Sequence, residues 1–196
     1  MNILGLQVTW IEFFGVIFNL AGVGLTIKKS KYCFPIGIVG VGLYAVFYFR
    51  EKLYADALLQ LFYIFLLAYG WIQWRKASSN EEFIVTLTSR KLWITLAVLC
   101  LSASLVIGTV FMKYTDASLP FLDSMLTSMS LVAQWLVAKK KLENWLVWIV
   151  ADIIYVGMFI FKHAYPTAIL YFIFIILAVS GYIEWKKKLL TIERAN

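Results

Sequence analysis

One acidic side chain lies near the middle of a strongly apolar stretch. Asp152 is the only charged residue between Trp145 and Phe161. Trp148 and Tyr155 lie four residues before it and three after it, so all three share one face of a helix. A carboxylate is costly to bury in hydrocarbon, and an acid flanked by aromatic rings at this depth predicts a grip on a polar, ring-bearing solute. The alternative is a packing role, in which Asp152 hydrogen-bonds a neighbouring helix.

A second apolar stretch carries Asp56, Gln60 and Tyr63 at spacings of four and three, again on one helix face. Gln60 and Tyr63 lie deep enough in the stretch to face a cavity, whereas Asp56 lies near its outer end. This stretch and the last one of the chain both end in Gly-aromatic-Ile-x-Trp followed by cations. We expect their tryptophans, Trp74 and Trp185, to anchor these ends at the lipid headgroups.

A polar stripe runs along the stretch that begins near residue 121. Its members have spacings of four, three and four residues and are Asp123, Thr127, Ser130 and Gln134. A helix that faces only lipid would not carry them, so the stripe is predicted to face protein or a water-filled path. The first stretch has a similar pattern in Glu12 and Asn19, and glycines in the first two stretches permit close helix approach.

Other kinds of chemistry lack the residues that they require. The sequence has no GxSxG, no HExxH and no phosphate-cradling glycine loop, so we expect neither an enzyme nor a nucleotide-driven pump. His163 is the single histidine and the two cysteines are far apart, so no metal or other cofactor is expected. The net charge of +7 arises from cations at the ends of apolar stretches, which indicates membrane anchoring rather than nucleic-acid binding.

The composition is that of a protein that crosses a membrane several times. Of its 196 residues, 62% are hydrophobic, and the mean hydropathy is +0.82. Each apolar stretch has about the length of one spanning helix. The seven predicted spans cover residues 7–27, 33–49, 54–74, 92–112, 121–138, 145–161 and 165–185. The predicted fold class is therefore all-α, with seven transmembrane helices.

The first three spans recur in the last three. Residues 12–76 align with residues 123–187 at an offset of 111 and without a gap, so that Tyr44 pairs with Tyr155. Four crossings separate the two copies, which predicts parallel repeats around one linker helix, a 3+1+3 order. The predicted divisions are a first repeat at 7–74, a loop at 75–91, a linker helix at 92–112, a second repeat at 121–185 and a tail at 186–196.

The cations predict an orientation. Fourteen of the 18 Lys and Arg residues fall on one side when the spans alternate, which puts the N-terminus outside and the C-terminus in the cytoplasm. The loop at 75–91 contains the polar run Ser78-Ser79-Asn80-Glu81-Glu82 and is expected to be a mobile linker between the repeats.

Two segments resemble the Pnu family of bacterial vitamin transporters. They are LYADALLQLFYIFLLAYGWIQW at 53–74 and QWLVAKKKLENWLVWIVADIIYVGMF at 134–159, and the likeness extends from about Trp10 to Lys188. The resemblance implies a helix order like that of the SWEET sugar transporters, a place in the bacterial inner membrane and assembly as a homotrimer. It also implies facilitated diffusion of an unphosphorylated vitamin, which a separate kinase then traps by phosphorylation.

In that family, aromatic and amide side chains in a central cavity contact the ligand. The positions that suit this role here are Asn19, Gln60, Tyr63, Thr127, Gln134, Asn144, Trp148, Asp152 and Tyr155. The stretch KLENWLVWIVAD is most similar to the branch for nicotinamide riboside, whose fixed pyridinium charge aromatic rings bind through cation–π contact. Thiamine, also cationic, stays open as the substrate. A sensor or scaffold that binds without translocating is the alternative from another class.

Overall fold

The computed structural model describes residues 10–50, 52, 54–76, 83–115 and 119–195, and the short strands β1 (Asn2–Ile3) and β2 (Leu6–Gln7), which pair antiparallel. Within this part of the chain, seven helices are long and apolar enough to cross a membrane, as predicted. Their bounds are α1 Trp10–Ile27, α2 Cys33–Arg50, α3 Tyr54–Lys76, α4 Arg90–Tyr114, α5 Pro120–Ala138, α6 Asn144–Phe161 and α7 Tyr165–Ala195.

The helices form two compact units. The first, Met1–Phe83, contains α1 to α3, in which α2 packs against both of the others. The second, Ile84–Asn196, contains α4 to α7, in which each helix packs against the next. The predicted linker helix α4 is therefore a member of the second unit that packs along α5. Its linking role and the parallel relation of the repeats stay predictions.

The two units have the same turns at the predicted offset. Lys29 and Lys140, which pair at that offset, both adopt a left-handed backbone with φ of 58° and 55°. Lys52 and His163 pair in the same way, with φ of 61° and 56°. Non-glycine residues rarely adopt such values, so two matched pairs are a strong sign of equivalent backbones. The alignment of residues 12–76 with 123–187 therefore describes equivalent local structure within each unit.

The two tryptophans near the ends of α3 and α7 lie inside the protein. Trp74 is 3% exposed and Trp185 is 0% exposed. Trp74 packs edge-on against Phe34 of α2, with ring centroids 4.8 Å apart, and Trp185 packs edge-on against Trp145 of α6 at 5.5 Å. The prediction that these tryptophans anchor the helix ends in the headgroups is wrong, because neither ring is available to lipid. They close the core between the second and third helix of each repeat.

Small residues bring neighbouring helices together. A Cβ on Gly22 of α1 would meet Gly37 of α2 at 3.7 Å, which confirms the predicted close approach of the first two helices. In the second unit, the Ser124 hydroxyl on α5 donates to the Ser104 carbonyl on α4 at 2.9 Å. This bond satisfies a polar group inside the membrane-spanning part of the unit.

The predicted tail and the second half of the predicted loop both have regular hydrogen-bonded structure that the sequence did not predict. Helix α7 continues through the tail and has 31 residues. At 1.5 Å per residue it is about 46 Å long, beyond the roughly 30 Å of a bilayer core. The polar run 78–82 lies outside the described residues, whereas Ile84–Ser89 is held by hydrogen bonds to the turn between α5 and α6. That half of the predicted linker is not free chain.

Candidate functional site

Asp152 on α6 is the one buried acidic side chain among the described residues, with 3% of its surface exposed. It lies beside a core cluster of Leu126, Ala151 and Met158, which joins α5 to α6. No other described residue donates a hydrogen bond to its carboxylate or forms an ion pair with it. The packing alternative requires a donor on a neighbouring helix, and the described residues supply none. This arrangement favours an external partner for the carboxylate.

Aromatic rings extend the face of α6 that carries Asp152. Trp148 and Tyr155 are both half-buried on this face. The Tyr155 ring lies 4.4 Å from the ring of Tyr171 on α7 and stacks on Phe159 at 5.9 Å. Phe159 and Tyr171 stack at 5.2 Å, which completes an aromatic cluster of three rings. The cluster gives this face a continuous π surface one turn from the carboxylate.

The sequence interpretation did not include Phe159 or Tyr171. The repeat contained a signal for Tyr171, because the 111-residue offset pairs it with Gln60, which was predicted to belong to the site. The same offset pairs Tyr44 and Tyr48, which stack at 6.0 Å, with Tyr155 and Phe159. The aromatic pair therefore recurs in both units.

The polar stripe of α5 divides into three environments. Ser130 is 2% exposed and faces protein, which is one of the two environments predicted for the stripe. Thr127 and Gln134 are half-buried. Asp123, at the start of α5, forms an ion pair with Lys162 at 3.3 Å and thereby ties the start of α5 to the end of α6. Of the predicted site residues on α5, Thr127 and Gln134 are therefore both partly accessible.

Asn144 begins α6 and is 0% exposed. Its Nδ2 donates to the Lys141 carbonyl at 2.6 Å, while no described residue donates to its Oδ1. One half of this amide therefore holds the turn before α6. The other half, Oδ1, is a buried acceptor without a partner in the described part of the chain. The indole N–H of Trp145 is a buried donor that likewise has no partner there.

The first unit contains the remaining predicted residues, all half-buried. Gln60 and Tyr63 lie on α3, and Asn19 lies on α1. A Cβ on Gly40 of α2 would come within 3.3 Å of the Asn19 Oδ1, so the absence of a side chain there leaves room for the amide. In the second unit, three predicted residues lie together on one face of α6, namely Trp148, Asp152 and Tyr155.

Charge is distributed unevenly between the core and the ends of the helices. Asp152 is the only buried side chain of an acidic or basic residue among the described residues. The described lysines and arginines are all at least partly exposed. A solute that reaches Asp152 therefore meets a carboxyl group and aromatic faces, an arrangement that suits a cation.

Comparison with known proteins decides the family. The profile of the nicotinamide mononucleotide transporter family matches residues 9–187. The chain belongs to this family. The resemblance to the Pnu transporters is thereby confirmed, and with it a multi-pass transporter of the inner membrane.

Similar proteins cover most of the chain. The nicotinamide riboside transporter PnuC of Escherichia coli strain K12 is 30% identical over 209 residues, which cover 92% of this chain and 87% of that protein. The protein of the same name from Neisseria mucosa is 30% identical over 172 residues, covering 82% of this chain and 65% of that protein. A crystal structure of the vitamin B3 transporter PnuC matches with a TM-score of 0.71 at 25% identity, covering 93% of this chain and 83% of that one.

Proposed function

We propose that this transporter carries nicotinamide riboside across the bacterial inner membrane by facilitated diffusion. Relatives with that substrate in their names align with nine-tenths of the chain at 30% identity. The observation that carries the proposal is Asp152, a buried carboxylate with no donor among the described residues and with Trp148 and Tyr155 on the same helix face. A pyridinium ring matches both features, because it is planar and permanently positive.

The charge of the site favours the riboside over the mononucleotide after which the family is named. A phosphate group adds up to two negative charges at neutral pH. Such a group needs Arg, Lys or several N–H donors once it leaves water. The buried ionisable side chain among the described residues is the acid Asp152, which offers a phosphate no hydrogen-bond donor in its ionised form and would repel it. The riboside has a net charge of +1 and meets attraction alone.

The charge of the site also explains how the riboside could accumulate inside the cell. Facilitated diffusion only equalises concentrations, so net uptake needs consumption inside the cell. Phosphorylation by a separate kinase turns the riboside into an anion, which Asp152 disfavours, and the product therefore cannot return by the same route. Homotrimeric assembly, which the family resemblance implies, and a cytoplasmic C-terminus, which the distribution of cations predicts, belong to this proposal.

Thiamine is the second candidate substrate. Its thiazolium ring is also cationic, and Asp152 with its aromatic neighbours suits that ring on the same physical grounds. The names of the relatives favour the riboside.

Titration calorimetry on the purified protein tests the substrate. We expect saturable binding of nicotinamide riboside, and binding of nicotinamide mononucleotide that is weaker by at least tenfold, because the mononucleotide brings a phosphate next to Asp152. Thiamine provides the cationic comparison. Tighter binding of the mononucleotide than of the riboside would contradict the charge argument, and binding of thiamine alone would move the protein to the second candidate.

A further inference from the structure

The chain segment that leads into α4 is tied to the turn before α6. We call Ile84–Ser89 the strap. The Thr86 amide donates to the Lys140 carbonyl at 3.1 Å, and the Leu142 amide donates to the Thr86 carbonyl at 3.0 Å. These two bonds form a short parallel bridge between Thr86 and Lys141. The strap thus adds an extended segment to a turn that joins two membrane-spanning helices.

Side chains strengthen this bridge. The backbone amide and the hydroxyl of Thr88 donate to the two carboxylate oxygens of Glu143, each at 2.8 Å. Lys141 Nζ donates to the Leu87 carbonyl at 2.9 Å. Val85 is 1% exposed and Thr88 is 9% exposed, so two strap side chains are inserted into the protein. Glu143 is the residue immediately before α6, and the strap therefore holds the end of the helix that carries Asp152.

The equivalent turn of the first unit has the same backbone bonds but a different residue at the strap's acceptor position. Its amides make the same bonds, since Lys29 donates to the Thr26 carbonyl as Lys140 donates to Val137, each at 2.9 Å. The residue that pairs with Glu143 in the repeat is Tyr32, which is 62% exposed and cannot accept two hydrogen bonds as a carboxylate does. The carboxylate that accepts two hydrogen bonds from Thr88 is therefore specific to the turn of the second unit.

The strap has the properties of an element that can detach while the helices stay folded. Four of the six strap residues face outward, among them Ile84, which is 45% exposed, and Leu87, which is 54% exposed. It is held by five hydrogen bonds to a single turn. Segments with few buried contacts and exposed hydrogen bonds open locally at low free energy.

The strap also lies where the chain passes from one unit to the next. Phe83, the last residue of the first unit, packs edge-on against Trp74 of that unit, with ring centroids 4.6 Å apart. Ile84 begins the second unit and the strap. The strap therefore begins where the backbone leaves the first unit, and it ends in the hydrogen bonds from Thr88 to Glu143.

We propose that the strap is a latch that must release the turn before α6 in each transport cycle. The inference rests on the proposed transport function, because a carrier alternates between two conformations. Closed, the strap fixes the end of α6 through Thr88 and Glu143. Open, it frees α6 to shift the Asp152 face toward the other side of the membrane.

A disulfide between the strap and the turn tests the latch. Thr86 and Lys141 are bridge partners, and neighbouring strands lie about 4.8 Å apart, within the Cα separation of about 4.4–6.8 Å that a disulfide spans. We expect the oxidised Thr86→Cys/Lys141→Cys protein to bind nicotinamide riboside with unchanged affinity but to transport it at least tenfold more slowly in proteoliposomes. Reduction restores transport. The two single-cysteine variants, treated with the same oxidant, serve as controls.

Two outcomes would overturn the latch. Transport at an unchanged rate with the disulfide formed would show that transport does not require the strap to open. Loss of binding together with transport would assign it a static positioning role. Transport of riboside by the unmodified protein in the same vesicles tests the proposed function separately, so that failure of the latch and failure of that function are distinguishable.

Hydrogen exchange on the unmodified protein gives a second measurement that does not depend on the variant. The amides of Thr86 and Thr88 are the reporters, since both are bonded only in the closed strap. We expect them to exchange at least tenfold faster than the amides in the middle of α5 and α6, and addition of nicotinamide riboside to change their rate. Protection equal to that of α6 and insensitive to the riboside would contradict the latch.

Discussion

At the scale of single residues, Asp152 combines a cost to stability with a gain in recognition. A buried carboxylate without a hydrogen-bond donor is unfavourable unless something external compensates it. Asp152 is in that position among the described residues, whereas Asp123 has Lys162 at 3.3 Å. Asp123 and Asp152 therefore make a matched pair, in which Asp123 has a partner in the protein and Asp152 has none among the described residues.

Asp152→Asn is expected to separate binding from stability. The substitution removes the negative charge that attracts the pyridinium, so the affinity for nicotinamide riboside should fall by at least tenfold, about 1.4 kcal/mol. The unfolding midpoint should stay the same or rise, because an amide costs less to bury than a carboxylate. Calorimetry and thermal unfolding of the detergent-solubilised protein measure the two quantities.

Asp123→Asn is the control for that experiment. Its ion pair with Lys162 is partly exposed, and such pairs contribute about 0–1 kcal/mol. The affinity for the riboside should therefore stay at the wild-type value. Equal losses of affinity in the two variants would mean that general loss of charge, and not the position of Asp152, weakens binding.

Sequence alone identified the residues whose chemistry is unusual for their surroundings. Asp152 could be found because an acid in the middle of an apolar span has few explanations. Tyr171 was missed because an aromatic residue in a helix rich in Phe and Ile carries no local signal. Asn144 was placed among the ligand contacts by resemblance, and its burial at the turn before α6 depends on tertiary packing that no spacing reveals.

At the scale of helices, each repeat is closed by a glycine that makes room for an aromatic ring. A Cβ on Gly181 of α7 would lie 2.6 Å from the indole ring of Trp145, and one on Gly70 of α3 would collide with the Phe34 ring. The two glycines and the two rings pair at the 111-residue offset. The seam between the second and third helix is therefore built in the same way in both repeats.

Gly181→Ala is expected to destabilise the protein. The added methyl group must displace a buried ring, and overpacking of this kind costs about 1–3 kcal/mol. The unfolding midpoint should fall accordingly. Gly157→Ala is the matched control, because a Cβ on Gly157 meets nothing within 4 Å and alanine favours a helix. A fall of the same size in both variants would rule out the seam as the cause.

Hydropathy predicted the helices well and their contacts less well. All seven spans were found because each has about the length that a bilayer core requires. The predicted environment of Trp74 and Trp185 was wrong. A tryptophan beside cations at a helix end is typical of an interfacial anchor, and the sequence pattern was interpreted in that way. The glycine four residues before each tryptophan makes room for the ring on which that tryptophan packs, which is Phe34 in the first copy and Trp145 in the second.

At the scale of the whole molecule, the chain is built from two units with equivalent turns and unequal chemistry. The buried charge at Asp152 pairs in the repeat with Val41, and the strap acceptor Glu143 pairs with Tyr32. Duplication thus supplied the framework, and residues of the second unit supply the charge and the latch. The number of helices could be predicted from the sequence, but the strap could not, because its bonds join residues more than fifty positions apart.

The most direct test of the account is uptake of labelled nicotinamide riboside into proteoliposomes that contain only this protein. No nucleotide, ion gradient or membrane potential is supplied. The account predicts uptake that saturates with concentration, stops when the inside and outside concentrations are equal, and falls in the Asp152→Asn variant. Binding of the riboside without any protein-dependent flux would contradict it and would favour a sensor or scaffold instead.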